Sequence, residues 1–210
     1  MADRLTTGLA GLDAQLGGGV PPGTVHLVIG EPMNAQELLG YHFAAGGSLL
    51  GAGTAFFSTD ATEAEVKKGV EQVGGKKDRV AVVPMPYKGA WKIPDGKPGM
   101  RYVIDSFSTV ILQAGWADAL GQLRRLKQQV RQSGDNIFIS VTGGLHSEAE
   151  RLLLKQWADG VMELGFDRQG FGLYPYMKLT KMRGIAESAR LLLFRETDRG
   201  LFMESTKRVF

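Results

Sequence analysis

Along most of this chain, short continuous apolar runs alternate with longer segments in which apolar residues return every three or four positions. The runs at 24–29, 54–59, 79–83, 100–105 and 136–141 are rich in Val, Ile and Phe and predict buried strands. Between and after them, 9–16, 34–50, 60–73, 117–132 and 147–157 carry helical spacing. In 117–132 that spacing turns Leu120, Leu123, Leu126 and Val130 inward and Arg124, Arg125, Lys127 and Arg131 outward. Capping-box spacing marks two helix starts: Asp60 with Glu63 or Thr62 with Glu65, and Ser147 with Glu150. Beyond 157 the pattern changes to hairpins at 161–166, 171–180, 189–196 and 201–204, with turns at 167–170 and 197–200. The stretch 85–99 carries Pro86, Pro94 and Pro98 among glycines, with Tyr87 and Trp91, and reads as a surface loop or irregular hairpin.

Strands that alternate with helices and then give way to hairpins predict an α/β fold. Its central sheet is mostly parallel, with helices on both faces in three layers, and a C-terminal antiparallel β-meander extends it. No repeat or linker interrupts the pattern, so one domain over 1–210 is expected.

Composition narrows the function classes. With 43% hydrophobic and 22% charged residues, the chain can bury a core. It has no cysteine, which excludes disulfides, thiolate metal sites and cysteine nucleophiles. No apolar run is long enough to span a membrane, and the first residues lack a signal-peptide core, so a cytoplasmic location without membrane partners is expected. The net charge of +3 is too small to indicate nucleic acid by itself. His26, His42 and His146 form no ligand spacing and read as structural, and no metal site is expected.

The most informative segment is 30–38. It follows an apolar strand and opens a helix, the place of a phosphate-binding loop G-x-x-x-x-G-K-[ST]. After Gly30, the second glycine of that pattern is replaced by Ala35, the lysine by Gln36 and the hydroxyl by Glu37. A charge-assisted hydrogen bond contributes roughly 1.5–3 kcal/mol, so loss of the lysine alone weakens phosphate binding about tenfold to a hundredfold. Glu37 adds a negative charge, although a carboxylate can also ligate Mg²⁺. Asn34 and Glu37 stand in N-cap and N3 spacing, which predicts a self-capped helix start in which Glu37 takes the anion position.

Other landmarks occur in order. Thr7-Gly8-Leu9-Ala10-Gly11-Leu12-Asp13 and the glycine-proline stretch 17–23 lead into the first strand. Phe57-Ser58-Thr59-Asp60-Ala61, Tyr102-Val103-Ile104-Asp105-Ser106 and Lys181-Met182-Arg183-Gly184 follow. Together these resemble the KaiC-like branch of the RecA-type P-loop ATPases over essentially the whole chain, with a degenerate Walker A loop. The resemblance implies ATP bound between subunits of a ring, an acidic pair that activates water, and Lys-Met-Arg-Gly side chains that reach a neighbour's nucleotide. Carried over, Asp105, Lys181 and Arg183 stand as in the family. Asp60 replaces the first glutamate of the acidic pair and Ala61 the second. Asp60 and Asp105 are therefore catalytic remnants, with Asp60 also fitting the cap of the next helix, and Lys181 and Arg183 are intersubunit candidates.

The expectation is a non-catalytic pseudo-ATPase acting as a regulatory or assembly subunit, in an oligomer with itself or a RecA/KaiC-like paralogue. No cofactor is expected, with Mg-ATP at most a weak ligand. One alternative is a weak ATPase using Asp60, Asp105 and Glu37. The other is a recombinase-paralogue-like accessory protein that binds DNA through the Arg124–Arg131 face or the 142–144 loop, without a nucleic-acid motif of its own.

Overall fold

The computed structural model describes residues 4–31, 34–85, 87, 99–169, 172–185 and 190–204. In chain order the elements are α1 (Ala10–Gln15), β1 (Val25–Gly30), α2 (Asn34–Leu50), β2 (Thr54–Ser58), α3 (Glu63–Gln72), β3 (Val80–Pro84), β4 (Arg101–Asp105) and α4 (Phe107–Ala114). There follow α5 (Trp116–Ser133), β5 (Asn136–Thr142), α6 (Glu148–Trp157), β6 (Gly160–Gln169), β7 (Gly172–Met182), β8 (Arg190–Thr197) and β9 (Gly200–Met203). The strands form a nine-stranded sheet in the order β3-β2-β4-β5-β1-β6-β7-β8-β9. From β3 to β6 the pairings are parallel, and β6 through β9 are antiparallel neighbours. The predicted α/β architecture, with its parallel sheet and closing meander, is the observed one.

The continuous apolar runs are explained by burial on both faces. One core joins α1, α2 and α3 to Val28, Phe56, Val103 and Phe138 and to the inner face of the meander. The other packs α4, α5 and α6 against Leu27, Phe57, Ile104 and Ile139. Helix α5 buries Ala119, Leu123, Leu126 and Val130, so Ala119 takes the inward place expected of Leu120. Helix α4 lies in a stretch whose β-branched Thr109, Val110 and Ile111 weaken the helical pattern, and it was not predicted. Trp91 and nearly all of the 85–99 loop lie outside the described residues. Tyr87, within that stretch, packs against the α4–α6 core and donates to the Thr59 carbonyl at 3.4 Å.

The leading segment is a clasp. Asp13 on α1 accepts the Thr7 amide at 2.7 Å and the Thr7 hydroxyl at 2.6 Å, and also the Thr6 hydroxyl. His42 on α2 extends the clasp: its Nδ1 meets the Gly8 carbonyl at 3.2 Å, and its Nε2 accepts the Leu201 amide of β9 at 2.9 Å. The Leu201 amide can only donate, so His42 is neutral with its proton on Nδ1. Gly8 has φ +82, and a Cβ there would lie 1.7 Å from the His42 carbonyl oxygen. Gly8→Ala is therefore expected to destabilise the fold by about 2 kcal/mol or more, read as a lower urea midpoint.

All three histidines, read as structural from the sequence, are buried. His26 in β1 meets the Thr24 hydroxyl at 2.7 Å. That hydroxyl donates to the Pro21 carbonyl at 2.6 Å, so His26 Nε2 is the donor and Nδ1 carries a bare lone pair. Burial pushes its pKa down to about 4, with Asp159 opposing and Arg101 assisting. The unfolded chain takes up a proton near the ordinary value of 6.5, while the folded one does not until about 4, so stability falls as pH drops through that window. The loss attributable to His26 is about 2 kcal/mol at pH 5. Comparing urea midpoints at pH 7 and 5 for wild type and His26→Asn checks this: the substitution is expected to flatten the slope.

Candidate functional site: an acidic cleft at the carboxyl ends of the parallel strands

Strand order reverses around β1, because the chain leaves β1 for β2 and passes over β5 and β4 on the way. Such a reversal opens a crevice beyond the carboxyl ends of the strands. There a cleft of about 470 Å³ is lined by Gln36, Glu37, Asp60, Ala61, Glu65, Asp105, Ser106 and Thr142. Four of the predicted site residues, Gln36, Glu37, Asp60 and Asp105, therefore meet in one place. Glu65 and Thr142 were not among the candidates; Glu65 is visible in the sequence only as half of a capping box.

The end of β5 is bonded both to the end of β1 and to the first turn of α2. The Gly143 amide donates to the Gly30 carbonyl at 2.6 Å. Gln36, only 8% exposed, donates its side-chain amide to the Val141 carbonyl at 3.0 Å. A Cβ on Gly30 would lie 2.9 Å from that of Leu164, which explains the glycine. Ala35 is fully buried in the α2 core. Glu37 is exposed at the cleft and accepts the hydroxyl of Tyr41, one turn further along α2. Burial, then this hydrogen bond, then the charges of Glu37, Asp105 and Glu65 raise the Tyr41 pKa, which keeps the phenol a donor. The predicted cap at Asn34 falls on a side chain outside the described residues, and α2 already includes Asn34 as a helical residue.

Asp105 ends β4, with a cis peptide bond to Ser106. Its carboxylate accepts the hydroxyl of Ser140 on β5. Burial raises its pKa; the Ser140 hydrogen bond opposes this, and the charges of Glu37 and Asp60 add to it. Asp60 is exposed and does not cap α3: Thr62 does, in a complete capping box with Glu65. The pair two residues later wins because Ser58 already accepts the amides of Asp60 and Ala61, at 3.3 and 2.8 Å, in the turn before the helix. The loop after β5 is anchored by Ser108, whose hydroxyl accepts the Thr142 amide at 2.9 Å and meets His146 Nε2 at 2.8 Å.

Lys181 and Arg183 lie at the other end of the strands. Lys181 donates to the carbonyls of Lys155 and Gln156, at 3.2 and 2.8 Å, and so caps the end of α6. Arg183 pairs with Asp159 at 3.3 Å and stays 59% exposed. Asp159 is buried just before β6, and its Oδ2 also accepts the Val25 amide at 3.2 Å.

A family model for a family of unknown function, DUF7125, matches residues 4–198. The chain belongs to that family. A UPF0273 protein of Thermotoga maritima is 23% identical over 237 residues, covering 96% of this chain and 96% of that protein. Two crystal structures share the fold at a TM-score of 0.78. One is a KaiC-like protein of Pyrococcus horikoshii, 19% identical, with 97% of this chain and 100% of that one covered. The other is the flagellar accessory protein FlaH of Methanocaldococcus jannaschii, 16% identical, with 98% and 100% covered. The expected likeness to the KaiC-like branch of the RecA-type proteins thus holds at the level of the fold.

In this DUF7125 protein the residues of the cleft do not fit Mg-ATP. Among the described residues lining it there are four carboxylates and no cation. The amide at the lysine position is turned away to β5. A triphosphate there would meet like charges, with no cationic side chain among the described lining residues to offset them. The coupling inside the cleft can be read directly by carboxyl NMR titration. Glu37→Gln is expected to lower the Asp105 pKa, and Ser140→Ala to raise it further. The reverse order would mean that these groups do not share a field.

Proposed function

We propose that this protein is a non-catalytic relative of the RecA/KaiC-like ATPases, a pseudo-ATPase that serves as a regulatory or assembly subunit and folds as one domain over 1–210. The observation that carries this reading is the pair at the start of α2. Gln36 spends its donor on the Val141 carbonyl, and Glu37 brings a carboxylate to the place where Mg-phosphate would need a hydroxyl. Of the acidic pair that would activate water, Asp60 keeps a carboxylate at the first position, and the second is Ala61. Asp60 and Asp105 remain as carboxylates without a phosphate partner, so no hydrolytic step is assigned to them.

As an assembly subunit it would join copies of itself or a RecA/KaiC-like paralogue. Arg183 is the better intersubunit candidate, because most of its guanidinium is exposed, whereas Lys181 is committed to the end of α6. No helix among the described residues is long and apolar enough to cross a membrane. A cytoplasmic location is part of the same proposal, and a chain without cysteine is compatible with a reducing compartment.

Calorimetric titration tests the reading. Wild type is expected to show no Mg-ATP binding tighter than about 1 mM, which corresponds to about −4 kcal/mol. The double change Gln36→Lys with Glu37→Thr is expected to gain affinity by tenfold or more, as restoring one charge-assisted contact of roughly 1.5–3 kcal/mol requires. Micromolar binding by wild type, or phosphate release abolished by Asp105→Asn, would overturn it in favour of a weak ATPase.

A further inference from the structure

A second concavity, of about 700 Å³, runs between α5 and α6 and has a different chemistry from the cleft. Its α5 wall carries Arg124, Lys127 and Arg131; Leu153 and Trp157 line the α6 side. Among the described residues no carboxylate lines it. It extends towards the amino ends of the strands, because Lys127 and Arg131 both reach Asp159, which pairs with the start of β1.

Its cations differ in how far they are already satisfied. Lys127 is 12% exposed; it pairs with Asp159 at 3.5 Å, donates to the Trp157 carbonyl and sits 4.5 Å above the centre of the Trp157 ring. It is structural and joins the two helices. Arg131 lies 3.4 Å from Asp159 but is 51% exposed. Arg183 meets the same carboxylate oxygen. One carboxylate thus faces three cations, and a positive surplus remains at the mouth of the groove. Arg124 is exposed, with no ion pair among the described residues, and stands two helical turns from Arg131, about 10 Å along α5. Leu153, which lines the groove, is 48% exposed and the adjacent Leu152 on α6 is 57% exposed, whereas Leu154 is buried.

We propose that the α5–α6 groove is a docking site for an acidic amphipathic helix of a partner protein, which lays leucine-type side chains on Leu153 and sets carboxylates against Arg124 and Arg131. Charge complementarity selects the acidic partner, and the exposed leucines select an apolar face on it. Single-stranded nucleic acid fits less well. Its usual platform is an open aromatic face, and the Trp157 ring is already covered by the Lys127 ammonium. Duplex phosphates would also leave the leucines without a partner. The proposal is independent of the pseudo-ATPase reading, because cleft and groove lie apart and share no lining residue.

The test uses the full-length protein as bait for a displayed library of helical peptides varied in charge and apolar content. The strongest peptide is then measured by fluorescence anisotropy. Enriched peptides are expected to pair Asp or Glu with Leu-type residues at three- and four-residue spacing and to bind more weakly as salt rises. Arg124→Glu and Leu153→Asp are each expected to weaken that peptide by about tenfold or more while circular dichroism and thermal melting stay unchanged. Both side chains are exposed, so neither change threatens the fold. No enrichment, enrichment without acidic residues, or affinity indifferent to both substitutions would overturn the proposal. A 20-nucleotide oligothymidine that binds more tightly than the peptide and is lost in the Arg124→Glu variant would overturn it too, and assign the groove to nucleic acid. The Mg-ATP titration bears on none of these outcomes.

Discussion

The carboxyl end of β5 sets the state of the cleft. Two hydrogen bonds leave it: the Gly143 amide goes to the Gly30 carbonyl, and the Val141 carbonyl receives the Gln36 amide. One fixes where β1 ends and the other fixes the first turn of α2. Since β1 and β5 pair in parallel up to Gly30 and Thr142, the end of β1 and the first turn of α2 are anchored to the same strand. Gln36 serves this purpose well because an amide reaches a buried carbonyl without carrying a charge into the interior. A lysine at the same depth would need an anion, and a phosphate would supply one. The residue that ties the first turn of α2 to β5 is thus a neutral amide.

Much of the fold was legible in the sequence, for a simple reason. Strands covered on both faces by helices must be apolar throughout, and that continuity is hard to mistake. The capping box at Ser147 and Glu150 formed as its spacing indicated. The failures have local causes. Helix α4 hides in a β-branched stretch, and it forms because Phe107, Val110 and Ile111 find a core beneath them. Asp60 looked like a cap by spacing, but Ser58 had already turned the chain and left the cap to Thr62. Leu120 had the right period for burial and yet borders the α5–α6 groove, because that groove stays open above it.

The site was legible in its residues but not in its contacts. Gln36, Glu37, Asp60 and Asp105 are far apart in the chain, and only the crossing from β1 to β2 over two intervening strands brings them together. That Gln36 would point to β5, or that Tyr41 would occupy Glu37, has no signal in spacing. Likewise the Lys-Met-Arg-Gly motif gives no sign that Asp159 holds Arg183 and the end of α6 holds Lys181. Asp159 drew no attention in the sequence. Burial raises its pKa, but the hydrogen bond from the Val25 amide and then the charges of Lys127, Arg131 and Arg183 outweigh that and lower it.

A cleft lined by carboxylates should be unfavourable, so its persistence needs a physical account. Glu37 stands in the first turn of α2, where the helix dipole favours a negative charge by about 0.3–1 kcal/mol. A hydrogen bond to a charged group, here from the Tyr41 hydroxyl, contributes roughly 1.5–3 kcal/mol. The Asp105 pKa is raised first by burial, and the charges of Glu37 and Asp60 add only a smaller part; their repulsion is moderated because Glu37 itself is exposed to water. Asp105 in turn has the Ser140 hydroxyl. Each of the two carboxylates therefore has its own donor, and neither requires a cation to remain in place. The cleft is stable as an acidic surface, with its donors supplied from within the chain, which is the condition a subunit must meet if it keeps this fold without a nucleotide to hold the loop in shape.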